Sequence, residues 1–322
     1  MSSTPSFPLR PSRLRRGFLT LAAVVGLSTM GATPAGAADL PIGGLPEAAA
    51  RFVAAPGYVP GANDPRCRTA AGRRTPVVLV HATFVNPGAN FADLGPRLRN
   101  AGHCAYTFSY GMLPYSLRRV GGVGPIAASA RTLDAFVDDV LRQTGAAKVD
   151  LVGHSQGGLM PNYFLKRLGG ARVVRRFVAL APSNHGTTMN GLTTELPAAL
   201  GLLGPPVLNT VLGVLDLAAP GLSQQVEGSP FQRALWVDGD TVAGPRYTVI
   251  GTSKDTVVTP YENAFLDGPN VRNVLLQDLC PDDEAGHVGL FNDYPTMQLV
   301  LNALGDDDPA FRPECRDYGL AG

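Results

Sequence analysis

Ser155, Asp255 and His287 are the residues whose types, order and surroundings in this chain point to chemistry. A serine hydroxyl is a weak nucleophile until an imidazole takes its proton. The imidazole in turn needs a carboxylate to fix its tautomer. Ser155 sits at the centre of Gly153-His154-Ser155-Gln156-Gly157, a G-x-S-x-G sequence. Val149, Leu151 and Val152 read as a buried strand before it, and Gly158-Leu159-Met160 opens a helix after it. A serine between strand and helix occupies a strained turn that lifts its hydroxyl clear of a sheet. Glycines flank it because side chains there would collide with the neighbouring elements. The helix start behind it supplies unpaired N–H groups where an oxyanion would form.

The strand–serine–helix turn is similar to that of the α/β-hydrolases, whose acid and histidine follow the serine in that order. Of the histidines at 81, 103, 154, 185 and 287, only His185 and His287 follow Ser155, and only His287 also follows an acid candidate. His185, His81 and His154 read as structural groups that hydrogen-bond neighbouring loops. Asp255 lies four residues beyond the apolar strand 247–251, on the side where such sheets bind ligands. Asp238 and Asp240 precede that strand, and Asp278, Asp282 and Asp283 read as solvated loop charges. The oxyanion hole is expected from the backbone N–H of Gln156 and an N–H of the loop after the first strand. Thr83 is the first candidate there, because its hydroxyl offers a second donor, and Phe84 is the next.

The elements that must position these groups are legible as apolar runs. Residues 76–80, 104–110, 149–152, 173–180, 247–251 and 271–276 read as strands, alternating with helices at 92–101, 125–145, 158–168 and from 287 to about 304. That alternation predicts a mostly parallel sheet with helices on both faces. Residues 39–75 show no sustained period and are expected to wrap over the surface. The chain has 322 residues, 45% of them hydrophobic, with a formal net charge of +1. This suits one large α/β domain and argues against nucleic acid as a partner. Arg10, Arg13, Arg15 and Arg16, the apolar run 17–33 and Ala35-Gly36-Ala37 read as an export signal over 1–38, leaving 39–322 as the domain. Four cysteines fit an oxidising destination and allow three pairings. The expected pairing is local, Cys67 with Cys104 and Cys280 with Cys315, which ties down the N-terminal wrap and the histidine loop.

The stretches VVLVHATF, DLVGHSQGGLM, ALAPSNHGTT, VIGTSKDTVVTPY and GHVGLFND resemble the secreted bacterial triacylglycerol lipases of the α/β-hydrolase superfamily, the actinobacterial branch most nearly. The matches run in the family's order over residues 76–304. The serine, glutamine and oxyanion threonine are also similar to some fungal lipases of the superfamily. The resemblance implies a Ser155–Asp255–His287 triad, an oxyanion hole from Thr83 and Gln156, and hydrolysis of acylglycerols at a lipid–water interface. The departure is Ala82, where such lipases usually carry glycine. The implied protein is an extracellular monomer without cofactor, metal ligands or stable protein partner. Calcium near Asp282, Asp283 and Asp293 is a weaker alternative to a solvated acidic loop. A polyester hydrolase or acyltransferase would use the same triad, and a catalytically inactive lipid-binding homologue is the reading outside enzymology. Residues 187–235 stand where such folds insert a cap, and their long apolar stretch reads either as a lid over the site or as a buried pair of core helices.

Overall fold

Six short runs of apolar residues form the strands β1 (Val77–Val80), β2 (Ala105–Thr107), β3 (Val149–His154), β4 (Val174–Leu180), β5 (Arg246–Gly251) and β6 (Val271–Leu275). They make one sheet in the order β2-β1-β3-β4-β5-β6, and every neighbouring pair is parallel. The computed structural model describes residues 38–67, 75–190, 213 and 216–322. The export-signal reading, and most of the apolar stretch read as a lid, fall on 1–37, 191–212, 214 and 215, outside the described residues.

Every residue of β1 and β3 is buried, which is why neither run alternates with polar residues. Val78 and Val80 face one core, shared with the helices α3 (Ile126–Thr144) and α4 (Gln156–Arg167). Val77 and Leu79 face the opposite core, against α2 (Leu94–Asn100) and α6 (Tyr294–Leu304). Between these, α5 (Pro230–Trp236) follows the cap segment, its start capped by the Ser229 hydroxyl. The sheet with helices on both faces is the architecture expected from the alternation. Cys67–Cys104 and Cys280–Cys315 are bonded, as the local pairing predicts. Each bridge stabilises by about 2–4 kcal/mol through restriction of the unfolded chain.

Two regions differ from the expectation. Residues 39–75 contain a helix, α1 (Leu45–Ala54). Leu45, Ala48, Ala49, Phe52 and Val53 do recur at helical spacing, but the stripe is half alanine and reads weakly. At the other end, α6 starts at Tyr294 rather than just after His287. A 3-10 turn, Gly289–Phe291, intervenes, and the Asp293 carboxylate caps α6 by accepting the Thr296 N–H at 2.9 Å. Among the described residues, no helix is long and apolar enough to cross a membrane.

Candidate active site

The turn between β3 and α4 holds Ser155 at φ 56° and ψ −123°, a left-handed backbone that an L residue rarely adopts. The chain closes on itself so tightly there that both glycines are required. A Cβ at Gly153 would lie 1.8 Å from the Gly157 carbonyl oxygen, and one at Gly157 would lie 2.1 Å from that of Val80. Ser155 N–H donates to Leu180 O at 2.8 Å, pinning the turn to β4. Gln156 is the first residue of α4, so its N–H has no acceptor within the helix.

Asp255 stands in the loop after β5, and its two oxygens have divided duties. Oδ1 accepts the N–H groups of Val257 and Val258, both at 2.8 Å. Oδ2 accepts from His287 Nδ1 at 2.8 Å. That bond puts the imidazole proton on Nδ1 and leaves Nε2 as a base on the cavity side. Ser155, Asp255 and His287 are all buried, and Ser155 and His287 line one cavity.

A polar strut runs behind them. Ala82 N–H donates to Asn90 Oδ1 at 2.7 Å, and Asn90 Nδ2 donates to His154 Nδ1 at 3.1 Å. His154 Nε2 donates to the His287 carbonyl at 2.9 Å. Burial, reinforced by the neighbouring His287 charge, pulls the His154 pKa down to about 3, so it stays neutral and keeps this donor–acceptor sense. His154, the residue before Ser155, thus ties the loop after β1 to the loop that carries His287.

The loop after β1 separates its two donor candidates. Phe84 N–H is committed to Gly121 O at 2.8 Å. Thr83 N–H has no backbone acceptor among the described residues, and Thr83 lines the cavity beside Ser155. Ala82 keeps a negative φ, so alanine in place of the family's glycine forces no strain on this loop. The Gln156 side chain faces away from the cavity, donating to Gly122 O at 2.8 Å and Gly221 O at 3.0 Å.

The other singled-out groups lie elsewhere. His185 pairs through Nε2 with Asp240 at 3.1 Å, while Asp238 pairs with Lys166 and Arg167, both at 2.8 Å. His81 is fully buried, stacked 4.3 Å from Tyr110, and burial draws its pKa down to about 4. Its Nδ1–H donates to Ala82 O and its Nε2 accepts from Tyr110 N–H. Asp278 and Asp282 are exposed, but Asp283 and Asp293 are fully buried, which corrects the reading of a solvated acidic loop. Within the 281–285 turn Asp283 and Ala285 are buried while Pro281, Asp282 and Glu284 stay exposed, and Asp283 Oδ1 accepts Ala285 N–H at 2.9 Å. Its Oδ2 is a buried oxygen without a hydrogen-bond partner, close to the Asp293 carboxyl. Burial pushes the Asp283 pKa up to about 6, and Asp293 shifts upward for the same reason. No group of three or more metal-ligating side chains occurs among the described residues.

The cavity over Ser155 has a volume of about 710 Å³. Its walls come from α1 (Leu45, Ala48, Phe52), the loop after β1 and the histidine loop (Val288, Phe291). The α1 wall and the cap-stem residues Leu222 and Gln225 escaped the sequence reading. For α1, the weak stripe of small apolar residues was the available signal. For Gln225 there was none, since its partners are distant in the chain.

This sheet order and this serine turn are those of a known hydrolase class. A model of the alpha/beta hydrolase family matches residues 77–321, and the chain belongs to that family. Among solved structures it is similar to lipase B of Aspergillus fumigatus, with 20% identity and a TM-score of 0.54. That match covers 82% of this chain and 62% of the fungal one, so this chain spans under two thirds of that lipase's length. It is also similar to a monoacylglycerol lipase of Paleococcus ferrophilus, at 17% identity and a TM-score of 0.48, over 73% and 97% of the two chains. A likeness at these identities is one of fold.

Proposed function

We propose that the protein is a secreted serine hydrolase that cleaves carboxylic esters of lipids through an acyl-enzyme on Ser155. The observation that carries this reading is the Asp255–His287 bond set beside a strained serine over an apolar cavity. Ser155 Oγ attacks the ester carbonyl carbon and its proton passes to His287 Nε2. Asp255 holds the imidazole in the required tautomer and stabilises the imidazolium. The negative charge on the former carbonyl oxygen is met by the N–H groups of Gln156 and Thr83 and by the Thr83 hydroxyl. Collapse expels the alcohol, which takes the proton from His287. Water then attacks the acyl-enzyme by the same route and releases the fatty acid.

The lining supports a hydrophobic acyl group, because it presents alkyl and aromatic side chains and little that would solvate a charged substrate. The two disulfides support an oxidising destination, in keeping with the export-type sequence at 1–38. A fluorophosphonate probe tests the nucleophile, and peptide mapping should find the label on Ser155. A series of p-nitrophenyl esters from short to long acyl chains, beside emulsified triglyceride, tests the substrate class. An unlabelled protein that turns over none of these esters defeats the proposal.

A further inference from the structure

Gln225 lies just beyond the short turn Pro220–Ser223, in the stem that follows the cap stretch. Its side-chain amide is buried and every hydrogen on it is spoken for. Nε2 donates to Gly221 O at 2.8 Å and to Thr83 Oγ1 at 3.0 Å, while Oε1 accepts the Ser183 hydroxyl at 2.8 Å. The orientation of the amide is fixed by chemistry, since a flipped amide would set its oxygen against the Gly221 carbonyl. Its backbone is fixed too: Gln225 O accepts Thr187 N–H at 2.9 Å.

A threonine hydroxyl has one hydrogen and two lone pairs. Gln225 supplies a donor, so it occupies a lone pair of Thr83 Oγ1 and leaves the hydroxyl hydrogen unspent. Thr83 and Ser155 line the same cavity, so that hydrogen can be donated into the space where the carbonyl oxygen of a bound ester becomes charged. We propose that Gln225 is a positioning residue that holds the Thr83 hydroxyl as a donor aimed at the oxyanion. This rests on the reading of Ser155 as an ester-cleaving nucleophile.

The surroundings fit such a part. Gly221 is wedged against the loop beneath Thr83, where a Cβ on it would lie 2.5 Å from Gly124 O and 2.7 Å from Gly122 O. Gly221 O accepts from both Gln156 and Gln225, joining the cap stem to the nucleophile helix and to the oxyanion loop. A hydroxyl fixed in advance needs no reorientation as charge develops, which is where oxyanion donors gain their effect.

The test compares Gln225→Met, Gln225→Glu, Thr83→Val and the double variant Thr83→Val/Gln225→Met on p-nitrophenyl butyrate at pH 8. Gln225→Met keeps volume, and Gly221 O still has Gln156 as a donor, so the fold should survive. Its kcat is expected to fall about tenfold to a hundredfold with KM within about twofold, because the interaction belongs to the transition state. Gln225→Glu is expected to fall to the level of Thr83→Val, since a carboxylate draws the hydroxyl hydrogen to itself. In the Thr83→Val background, Gln225→Met should cost nothing more in kcat. Three results would overturn the proposal: an unchanged kcat in Gln225→Met, an unchanged kcat in Thr83→Val, or an undiminished Gln225 effect in the Thr83→Val background. Fluorophosphonate labelling of Ser155 keeps the failures apart, because a labelled, ester-cleaving wild type preserves the serine-hydrolase reading even if the Gln225 variants behave like it.

Discussion

The molecule contains two histidine–aspartate pairs of similar length, 2.8 Å for His287–Asp255 and 3.1 Å for His185–Asp240, with different surroundings. His287 uses Nδ1 for its acid, and it lines the same cavity as Ser155. His185 uses Nε2, is 35% exposed, and leans on the Trp236 ring with centroids 5.4 Å apart. Asp255 is anchored on its second oxygen by two backbone N–H groups, whereas Asp240 accepts only one, from Asp267. The pair bond is the lesser part of a catalytic site. What separates the two is the ring nitrogen left over, and what stands in front of it.

The largest expected effect breaks the first pair from its serine. Ser155→Ala or His287→Ala should each lower ester hydrolysis by a factor on the order of 10⁶, and the double variant should be little worse. Additive losses in the double variant would show that the two side chains do not act as a unit. Next comes Asp255→Asn, expected to cost on the order of 10⁴ in kcat. The Val257 and Val258 N–H groups demand an acceptor, so the new amide must turn its nitrogen toward His287 Nδ1. That forces the ring proton onto Nε2, where it cannot receive the serine's. Near-native activity in Asp255→Asn would move the acid elsewhere.

A buried acid without a histidine partner sharpens the contrast. Asp283 has one backbone donor, Ala285 N–H, and faces the Asp293 carboxyl, so burial, reinforced by that neighbouring acid, raises its pKa to about 6. A folded pKa above the unfolded 3.8 means its protonated form is favoured in the native state, and stability is lost as pH rises through about 6. Asp283→Asn should therefore raise Tm by a few degrees at pH 8 and by less at pH 5, measured by thermal melts. An equal gain at both pH values would remove the carboxyl from the explanation. The smallest effect belongs to the second pair. Asp240→Asn should leave kcat within about twofold of wild type, since His185 touches no reacting group. Asp240 raises the His185 pKa above 6.5, so the pair's stabilisation is complete below that value and fades as pH climbs past it. Asp240→Asn should thus lower Tm more at pH 5.5 than at pH 8.5, and the reverse order would contradict the assignment.

The serine turn, the pairing of Asp255 with His287 and the cysteine pairing were legible because each is short-range or follows chain order. Ser155 stands out because only small residues fit beside it, and His287 because no other histidine follows an acid candidate. Asp283 misled because an acidic turn is usually solvated, and nothing local signals that this one aspartate of the turn points inward while Asp282 and Glu284 stay exposed. Gln225 was invisible for a related reason: its partners, Thr83 and Ser183, are 142 and 42 residues away. Side-chain bonds across such distances are created by the sheet order, which brings the ends of β1 and β4 to the same edge of the molecule. Helix α1 lay between these cases, with the right spacing but with alanines too small to mark a buried face.

That small-residue face has a consequence for how the fold can diversify. Ala48 and Ala49 form part of the cavity wall, yet α1 precedes the sheet and contributes nothing to the serine turn or the acid–base pair. The Phe52 and Val53 carbonyls accept hydrogen bonds from Asn86 and Arg119, so its end is anchored independently of its inward side chains. The depth of the cavity is therefore adjustable from outside the Ser155 turn and the Asp255–His287 pair. Leucine or phenylalanine at 48 or 49 would narrow the cavity while Ser155 and the Asp255–His287 pair stayed in place, a division that lets the cavity's shape drift without disturbing the groups that line its floor.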